Sequence, residues 1–379
     1  MMAKCTISAY RAPCGVPVQT SFGTMRERPM LLVRVEDADG AFGFGEIWCN
    51  FPDGALEHRA RLLATTLAPL LGRVDMHDPR AAFAELTRLT HVLALQSGEP
   101  GPFAQCIAGI DLALWDLAAR KRGESLWRFL GGTNPAIRVY ASGLNPEQPE
   151  RLAAAKFAEG YRAFKLKVGF TTARDVANLQ ALRAELGPAC SLMADANQAW
   201  DLRAATEAVE AFAPFDLEWL EEPLPADAPS SEWRELSARA PIAFAAGENF
   251  ASALDFREAM EGSSIAVIQP DVAKWGGLSA CVPIARAIVA SGKRFCPHYL
   301  GGGVGLAASA HLLAAIGGDG MLEIDANENV LRTLLLGPLG VVTGGECRLT
   351  EAPGIGIDPD NAGLDRHLIH SEQITFAHR

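Results

Sequence analysis

The stretch AFKLKVGF, residues 163–170, places two lysines one position apart within an apolar run. Side chains two positions apart on a β-strand share a face, so Lys165 and Lys167 would point the same way while Leu166 packs on the other side. The apolar flanks favour a buried strand over an exposed strand with snorkelling lysines. The stretch therefore predicts a buried face with two like charges, which other residues must offset.

The region around this strand repeats a simple pattern. From about residue 136, β-rich runs alternate with amphipathic helical segments, and one repeat takes roughly 22–28 residues. The β-rich runs are IRVYAS (137–142), AFKLKV (163–168), SLMADA (191–196), LEWLEE (217–222), IAFAAGE (242–248), IAVIQPD (265–271), RFCPH (294–298) and MLEID (321–325). Sustained alternation predicts a parallel sheet, and eight runs favour a closed (β/α)8 barrel, with a doubly wound open sheet as the alternative.

The chain before this region has a different pattern. Asp37-Ala38-Asp39-Gly40 divides the β-rich segment 30–48 and predicts a β-hairpin. Apolar residues then recur at helical spacing in three segments. These segments span about 54–72, 79–95 and 104–122. The mixture predicts an α+β domain.

These patterns divide the chain into two domains and a tail. We expect an α+β capping domain over residues 1–125 and an α/β barrel over residues 126–339. The tail, 340–379, is rich in glycine and proline and is expected to pack back on the first domain.

Composition limits the partners. The 379 residues carry a formal net charge of −11, which argues against nucleic acid and anionic membrane surfaces but not against a small anionic substrate. No apolar run reaches the ~18 residues of a membrane span, and the N-terminus lacks the apolar centre of a signal peptide. The eight cysteines are scattered without a CxxC pair, so we expect reduced thiols in a cytoplasmic protein.

Ionisable residues recur at the same phase of the repeat. In a barrel, chemistry is located at the carboxyl ends of the strands. Six such residues, spaced 23 to 27 positions apart, are Asp195, Glu221, Glu248, Asp271, His298 and Glu323. Each carboxylate alone has a simpler interpretation as a helix N-cap. The common register favours convergence on one mouth.

Asp195, Glu221 and Glu248 form the first group in this register. Three carboxylates that face one point repel each other unless a cation lies between them. Three hard oxygen ligands suit Mg²⁺, and zinc is less suitable because no histidine or cysteine belongs to the set. The sequence therefore predicts a Mg²⁺ site, with three separate surface caps as the alternative.

The two lysines and the His298–Asp271 pair are the remaining candidate catalytic groups. Each lysine makes the other harder to protonate, and a nearby divalent cation adds to this effect, so one lysine can serve as a base. His298 and Asp271 end adjacent predicted strands, where the carboxylate can fix the tautomer of the imidazole. Lys274 is expected on the following loop or at the start of the next helix, without a catalytic role.

These residues resemble the motifs of the enolase superfamily, and within it the mandelate racemase subgroup. The resemblance covers nearly the whole chain, and IDLALWDLAARKRGESLWRFLGG (110–132) is similar to the family segment between the two domains. The shorter motifs, in family order, are KLK (165–167), DAN (195–197), EEP (221–223), GE (247–248), QPD (269–271) and PH (297–298). The resemblance implies a modified (β/α)8 barrel of the TIM type with an N-terminal α+β capping domain, and a homo-oligomer.

The resemblance also implies roles for individual residues. Mg²⁺ is held by the three carboxylates, Lys167 is one base, and the Asp271–His298 dyad is the other. Lys165 binds the substrate carboxylate, and a protonated Glu323 donates a hydrogen bond to it. Asn197 is a further substrate-binding candidate. Together they stabilise the enediolate that forms when the α-proton of a carboxylate substrate leaves.

Two reactions share this apparatus. In dehydration of a hydroxy acid, one residue removes the α-proton and the other protonates a departing β-hydroxyl; in racemisation or epimerisation, the second residue returns a proton on the opposite face. The subgroup favours dehydration of an acid sugar or a related hydroxy or hydroxy-amino acid. Lactonisation is less favoured because related cycloisomerases usually carry lysine at the position of Asp271. The capping-domain loops 15–26 and 46–52 are expected to select the substrate, with Trp48 and Asn50 as contacts or as core residues.

The segment GGGVG (301–305) allows a different class of function. A glycine-rich loop after the seventh strand of a barrel can hold a phosphate, which would indicate a phosphosugar enzyme or a phosphate-bearing cofactor. No arginine or lysine adjoins the segment, and glycine there also permits close backbone approach beside His298. A non-enzymatic metal-binding or structural protein is disfavoured because nothing structural requires the lysine pair.

Overall fold

The computed structural model describes residues 2–377, and its N-terminal part begins with three antiparallel strands. They are β1 (Ala3–Thr20), β2 (Gly23–Glu36) and β3 (Phe42–Ile47). The predicted hairpin joins β2 to β3. The Asp37 carboxylate accepts hydrogen bonds from the backbone N–H groups of Asp39 and Ala41 at 2.9 and 3.0 Å, and this fixes the turn.

Helices follow the strands, as the apolar spacing predicted. They are α1 (Ala55–Leu62), α2 (Pro79–Ser97), α3 (Pro100–Arg122) and the short α4 (Leu126–Phe129). The segment predicted as one helix over 54–72 continues beyond α1 as a π-helical turn and then a 3₁₀ turn that ends at Arg73. Gly98 and Gly123 end α2 and α3 in the left-handed conformation, with φ of 68° and 67°.

Helix α3 packs unusually closely against β3. A Cβ on Gly45 would lie 1.9 Å from the carbonyl oxygen of Gly109, and a Cβ on Gly109 would lie 2.2 Å from Ile47 Cγ1. Both positions therefore require glycine. This contact fixes the position of β3 against α3, and hence the position of the residues that follow β3.

The second part contains eight parallel strands. They are β4 (Ala136–Leu144), β5 (Ala163–Lys167), β6 (Ser191–Asp195), β7 (Leu220–Glu221), β8 (Phe244–Ala246), β9 (Val267–Ile268), β10 (Arg294–Phe295) and β11 (Met321–Asp325). Their order is β10-β9-β8-β7-β6-β5-β4-β11, and a hydrogen bond from the Met321 N–H to Cys296 Sγ at 3.4 Å links the two ends of the row. The (β/α)8 barrel is confirmed over the open sheet.

Helices cover the outside of the barrel. They are α5 (Pro149–Ala158), α6 (Thr172–Leu186), α7 (Leu202–Phe212), α8 (Ser230–Arg239), α9 (Ala253–Glu261), α10 (Gly277–Ala290), α11 (Gly303–Ile316) and α12 (Val330–Thr333). Thr171, Asp201 and Ser252 cap α6, α7 and α9 with their side chains. The carboxylates at the ends of the preceding strands are thus not the caps of these helices.

The tail contacts both parts of the molecule. Strand β12 (Glu346–Arg348) pairs antiparallel with β4 of the barrel, and β13 (Leu368–Phe376) pairs antiparallel with β1. The tail was predicted to pack on the first domain, and β13 lies there, but β12 extends the barrel sheet. The boundaries at 125/126 and 339/340 remain predictions. None of the helices within residues 2–377 has both the length and the hydrophobicity that a membrane span requires.

Candidate active site

The interior of the barrel contains a buried layer, here called the floor, to which each strand contributes one residue. These buried residues form one cluster: Tyr140, Ala163, Met193, Trp219, Ala245, Val267, Cys296 and Met321. Because side chains alternate along a strand, the residues two positions further on face the same interior, one layer nearer the mouth. That layer consists of Ser142, Lys165, Asp195, Glu221, Gly247, Gln269, His298 and Glu323. The period of the strands therefore places Lys165, Asp195, Glu221, His298 and Glu323 directly above the apolar residues of the floor. Glu248 and Asp271 were predicted at the same phase but follow the layer residues Gly247 and Gln269.

Lys165 is a buried cation at the centre of this layer. Its Nζ lies 2.7 Å from both carboxylate oxygens of Glu221 and 2.9 Å from Glu323 Oε1, and its side chain is 0% exposed. Burial lowers the pKa of Lys165, but the charges of Glu221 and Glu323 outweigh burial and raise the pKa well above its usual value. The two carboxylates thus offset the first of the two like charges on β5.

Lys167 lies above Lys165 and faces the open mouth. Its Nζ donates hydrogen bonds to Asp195 Oδ2 at 2.6 Å and to Asn197 Oδ1 at 2.8 Å. Burial lowers the pKa of Lys167 and Lys165 lowers it further, as the sequence predicted, but the charge of Asp195 prevails and the pKa is raised. A divalent cation on these carboxylates would counter the charge that now holds the proton on Lys167.

His298 lies across the barrel and is bound on both ring nitrogens. Nδ1 is 2.7 Å from Asp271 Oδ2, so the predicted dyad is formed, and Nε2 is 2.6 Å from Glu248 Oε2. Asp271 is itself held by the backbone N–H of Ala273 at 2.8 Å. Burial lowers the pKa of His298, but Glu248 and Glu323 raise it well above its usual value.

The three predicted metal ligands lie on neighbouring strands. Asp195 and Glu221 are register partners of β6 and β7. Glu248 follows Gly247, whose φ of 140° and close approach to the backbone of Gln269 exclude a side chain and turn Glu248 toward the mouth. In the arrangement seen, these carboxylates bind Lys165, Lys167 and His298, and within residues 2–377 no three acidic, histidine or cysteine side chains form a ready metal cage.

The donor set nevertheless fits a hard divalent cation. Burial raises the pKa of Glu221 to about 7, and Asp195, Glu323 and Glu248 add to the rise while Lys165 opposes it. The carboxylates are therefore close enough to repel one another, which a shared cation would relieve. Gln269 donates to Glu221 at 2.6 Å and fixes that carboxylate from the side.

Glu323 differs from the state that the family resemblance implied. Burial raises its pKa, but Lys165 and His298 lower it, and a hydrogen bond from Ser142 adds to the lowering. The charges around Glu323 thus favour a carboxylate rather than the protonated acid. The neighbouring Asp325 serves the structure instead, because it forms a buried ion pair with Arg28 of β2 at 2.7 Å.

A second polar cluster was not recognised in the sequence. Asn249 donates to both oxygens of Glu222 at 2.9 and 3.0 Å and to Glu248 at 3.0 Å. Lys274 donates to Asn249 Oδ1 at 2.7 Å, and its Nζ lies 4.9 Å from the centre of the Trp48 ring. The loop position predicted for Lys274 is correct, and the structure brings it to the edge of the site.

A cavity of about 260 Å³ opens above these residues, between the barrel and the capping domain. From the barrel it is lined by Lys167, Asn197, Gln198, Glu248, Asn249, Lys274, His298 and Leu300. From the capping domain it is lined by Thr20, Phe22, Trp48, Asn50 and Phe51. Both capping-domain residues predicted as substrate contacts, Trp48 and Asn50, therefore lie at the cavity. Lys165 and Glu221 lie beneath it.

The glycine-rich loop 301–305 already holds an anion of the protein. Glu46 of β3 is fully buried, and its carboxylate accepts hydrogen bonds from the backbone N–H groups of Gly302 at 2.5 Å and Gly305 at 2.9 Å. Tyr299 also hydrogen-bonds to Glu46. The N–H groups that a phosphate would use at this end of α11 are thus occupied, which weighs against the phosphate interpretation.

Comparison with known families agrees with this geometry. Residues 2–131 match the mandelate racemase / muconate lactonizing enzyme N-terminal domain, and residues 149–363 match the enolase C-terminal domain-like family. The chain is 30% identical over 373 residues to 3,6-anhydro-alpha-L-galactonate cycloisomerase of Streptomyces coelicolor, which covers 97% of this chain and 99% of the relative. It is 32% identical over 289 residues to L-talarate/galactarate dehydratase of Salmonella typhimurium, with 73% and 70% coverage.

Solved structures show the same fold over the full length. A mandelate racemase/muconate lactonizing enzyme from Bordetella bronchiseptica RB50 superposes with a TM-score of 0.91 at 53% identity and covers 97% of this chain and 99% of its own. L-Talarate dehydratase from Polaromonas sp. JS666, complexed with Mg and L-glucarate, superposes with a TM-score of 0.81 at 26% identity and 98% coverage of both chains. This protein belongs to the mandelate racemase/muconate lactonizing enzyme family of the enolase superfamily.

Proposed function

We propose that the protein is a Mg²⁺-dependent dehydratase of a hydroxy carboxylic acid. The observation that carries the proposal is the placement of Lys167 and His298, which line one cavity from β5 and from the loop after β10. Glu248 and Asn197 line the same cavity. A substrate in this cavity would have a protonatable group on each side and a set of carboxylate ligands beneath it.

Asp195, Glu221 and Glu248 would hold Mg²⁺, which supplies Lewis-acid stabilisation of negative charge on the substrate carboxyl group. Lys165 adds a fixed positive charge beneath the same group. Asn197, which already contacts Lys167, is placed to bind the substrate carboxylate or its α-hydroxyl. These groups favour the state in which the α-proton has left, because charge on the carboxyl group is then greatest.

Lys167 removes the α-proton from one face, and His298 protonates the departing β-hydroxyl from the other. Asp271 holds Nδ1 of His298 at 2.7 Å, so Nε2 is the nitrogen that faces the reacting centre. Glu323 would bind the substrate carboxyl group only in its protonated form, which the charges of Lys165 and His298 disfavour. As a carboxylate it instead holds the Lys165 ammonium at 2.9 Å beneath that group. The reaction requires no electron transfer and releases water.

The relatives support this class without selecting the reaction. Dehydratases and cycloisomerases of acid sugars are both present among them. Racemisation or epimerisation is the second candidate, because Lys167 and His298 on opposite sides of one cavity can also return a proton to the opposite face. A phosphosugar activity is disfavoured because Glu46 occupies the N–H groups of the glycine-rich loop.

Nuclear magnetic resonance in D₂O tests the proposal. The protein is incubated with Mg²⁺ and a library of hydroxy and amino acids, and loss of the α-proton signal and appearance of a 2-keto-3-deoxy acid are followed together. Dehydration predicts both changes for at least one acid, and both should stop on chelation of the metal. Exchange with inversion and without water loss would identify a racemase, and no exchange with any acid would contradict the proposal.

We also propose a homo-oligomer in the cytoplasm. All eight cysteines are free thiols, and seven of them are buried, which supports a reducing compartment. Analytical ultracentrifugation tests the oligomeric state, since a monomeric sedimentation coefficient at micromolar concentration would contradict it.

A further inference from the structure

The outer wall of the active-site cavity is apolar. Phe22 and Phe51 meet edge to face with ring centres 5.1 Å apart, and Trp48 and Leu300 complete this wall. Phe22 is 60% exposed, although large aromatic side chains are usually covered. The exposed ring beside the cavity indicates a surface that a bound molecule would cover.

The polar side chains on this wall are partly engaged within the protein. Asn50 donates to the carbonyl of Leu300, and the Thr20 hydroxyl donates to the carbonyl of Gly23 at 3.0 Å. Gln198 Oε1 accepts the backbone N–H of Ala226 at 2.8 Å. These contacts occupy the Thr20 hydroxyl and one end of each amide, so a chain of substrate hydroxyl groups along this wall would find few free partners.

A further cation at the cavity is held in the same manner. Lys274 Nζ donates to Asn249 at 2.7 Å, lies 3.6 Å from Glu248 Oε1, and faces the Trp48 ring. Among the described residues that line the cavity, there is no arginine. A second carboxylate at the outer end of a substrate would lose its hydration against aromatic rings, and it would have to share Lys274 with Asn249 and Glu248.

We propose that the substrate is a monocarboxylic hydroxy acid whose end remote from the carboxylate is apolar, such as a terminal methyl group or a hydrocarbon ring. This inference rests on the proposed dehydratase function and adds the chemical class of the remote end. A methyl group against Phe22, Phe51 and Leu300 gains from burial, whereas a terminal hydroxyl or carboxylate in the same place is desolvated. The inference distinguishes the proposed substrate of this protein from the dicarboxylic acids in the name of the Salmonella relative.

A matched series of acids tests the inference. For each sugar configuration, the 6-deoxyhexonate, the hexonate and the hexarate differ only in a terminal methyl, hydroxymethyl or carboxylate group. We expect kcat/KM for the best 6-deoxyhexonate to exceed that for its hexonate by at least roughly tenfold and that for its hexarate by more, as for other apolar pockets. A hexarate or hexonate preferred over its 6-deoxy analogue would overturn the inference and leave the proposed function standing.

Binding separates this result from a failure of the proposed function. The Lys167→Met variant with Mg²⁺ is titrated with the same series by calorimetry, so that Kd is read without turnover. The order of affinities should follow the order 6-deoxyhexonate, hexonate, hexarate even where no acid reacts. Absence of exchange in wild-type protein contradicts the proposed function, whereas the opposite order of Kd overturns the inference about the remote end.

Two substitutions in the wall sharpen the test. Phe22→Arg adds a cation at the outer end and should shift the ratio of hexarate to 6-deoxyhexonate kcat/KM upward by roughly tenfold or more. Phe157→Ala removes a phenylalanine that is 41% exposed on α5, remote from the cavity, and should leave the ratio unchanged. An unchanged ratio in Phe22→Arg, with the thermal stability of the wild type retained, would overturn the inference.

Discussion

The two halves of the active-site cavity are built in opposite ways. On the barrel side, ionisable residues such as Lys165 and His298 are paired with charges of opposite sign, at positions set by the two-residue period of the strands. On the capping side, Phe22, Trp48 and Phe51 form an apolar wall at positions set by loops. The residues on the barrel side therefore indicate which reaction the site supports, and those on the capping side indicate which substrates it accepts.

The largest expected loss of activity comes from replacing Lys167, the proposed general base on the barrel side of the cavity. Lys167→Met should lower kcat by roughly 10²–10⁴-fold or more, because Lys167 is the group on its face of the cavity that accepts the α-proton. The measurement is the initial rate of product formation with Mg²⁺. Lys156→Met, on the surface of α5, is the matched control and should retain activity. Retention of at least a tenth of the rate in Lys167→Met would contradict the assignment.

Substitution of Glu46 tests the contact between β3 of the capping domain and the glycine-rich loop of the barrel. Glu46→Ala should lower the free energy of unfolding by about 3–4 kcal/mol, because it leaves the buried N–H groups of Gly302 and Gly305 and the hydroxyl of Tyr299 without their acceptor. Urea unfolding measures this change. Glu46→Gln, which keeps one oxygen, should lose less. A loss below roughly 0.5 kcal/mol in Glu46→Ala, the size of an ordinary surface effect, would show that Glu46 does not hold the loop.

A second histidine provides a contrast with His298. His311 Nδ1 accepts the N–H of Trp127 at 2.9 Å and Nε2 contacts the Ile355 carbonyl at 3.2 Å, and burial lowers its pKa from 6.5 to about 4. Because the folded pKa lies below the unfolded value, its contribution is complete above pH 6.5 and is lost as pH falls toward 4. The loss is about 3 kcal/mol at most.

The measurement for His311 is the free energy of unfolding between pH 7.5 and 4 for the wild type and for His311→Gln. The stability difference between the two proteins should shrink as pH falls, since only the wild type loses the contribution of a neutral imidazole. A difference that stays constant across this range would contradict the buried neutral state.

Metal binding tests the carboxylates of the barrel half. Mg²⁺ at 100 times its Kd should stabilise the folded protein by about 2.7 kcal/mol, because only the folded chain brings Asp195, Glu221 and Glu248 together. Differential scanning calorimetry over a series of Mg²⁺ concentrations measures this. Asp195→Asn should show a much smaller shift, and an equal shift in both proteins would place the metal elsewhere.

The sequence predicts the barrel half well because its signals are periodic. Residues at one phase of a repeating strand face one point, so the spacing alone assigns Asp195, Glu221 and Glu323 to the mouth of the barrel. The eight strands and the capping hairpin follow from the same local patterns. The orientation of Glu248 depends on Gly247. The GE motif identifies this glycine in the sequence, but only the structure shows its φ of 140°.

The remaining features depend on contacts between distant parts of the chain. Glu46 contacts the glycine-rich loop although 256 positions separate it from Gly302, so the loop sequence alone left a phosphate site open as an alternative. The protonation of Lys167 and Glu323 follows from the balance of several buried charges and not from one neighbour. The partners of Asn50 and Lys274 are set by loop conformation, for which the sequence carries no periodic signal.

The proposed reaction depends on a division of roles in which Lys167 takes the α-proton and His298 acts on the other face. It is tested most directly by α-proton exchange in D₂O with Mg²⁺, measured for Lys167→Met and His298→Asn with an acid that the wild-type protein dehydrates. We expect His298→Asn still to exchange the α-proton while it releases no product, and Lys167→Met to do neither. Exchange that persists in Lys167→Met and disappears in His298→Asn would contradict it.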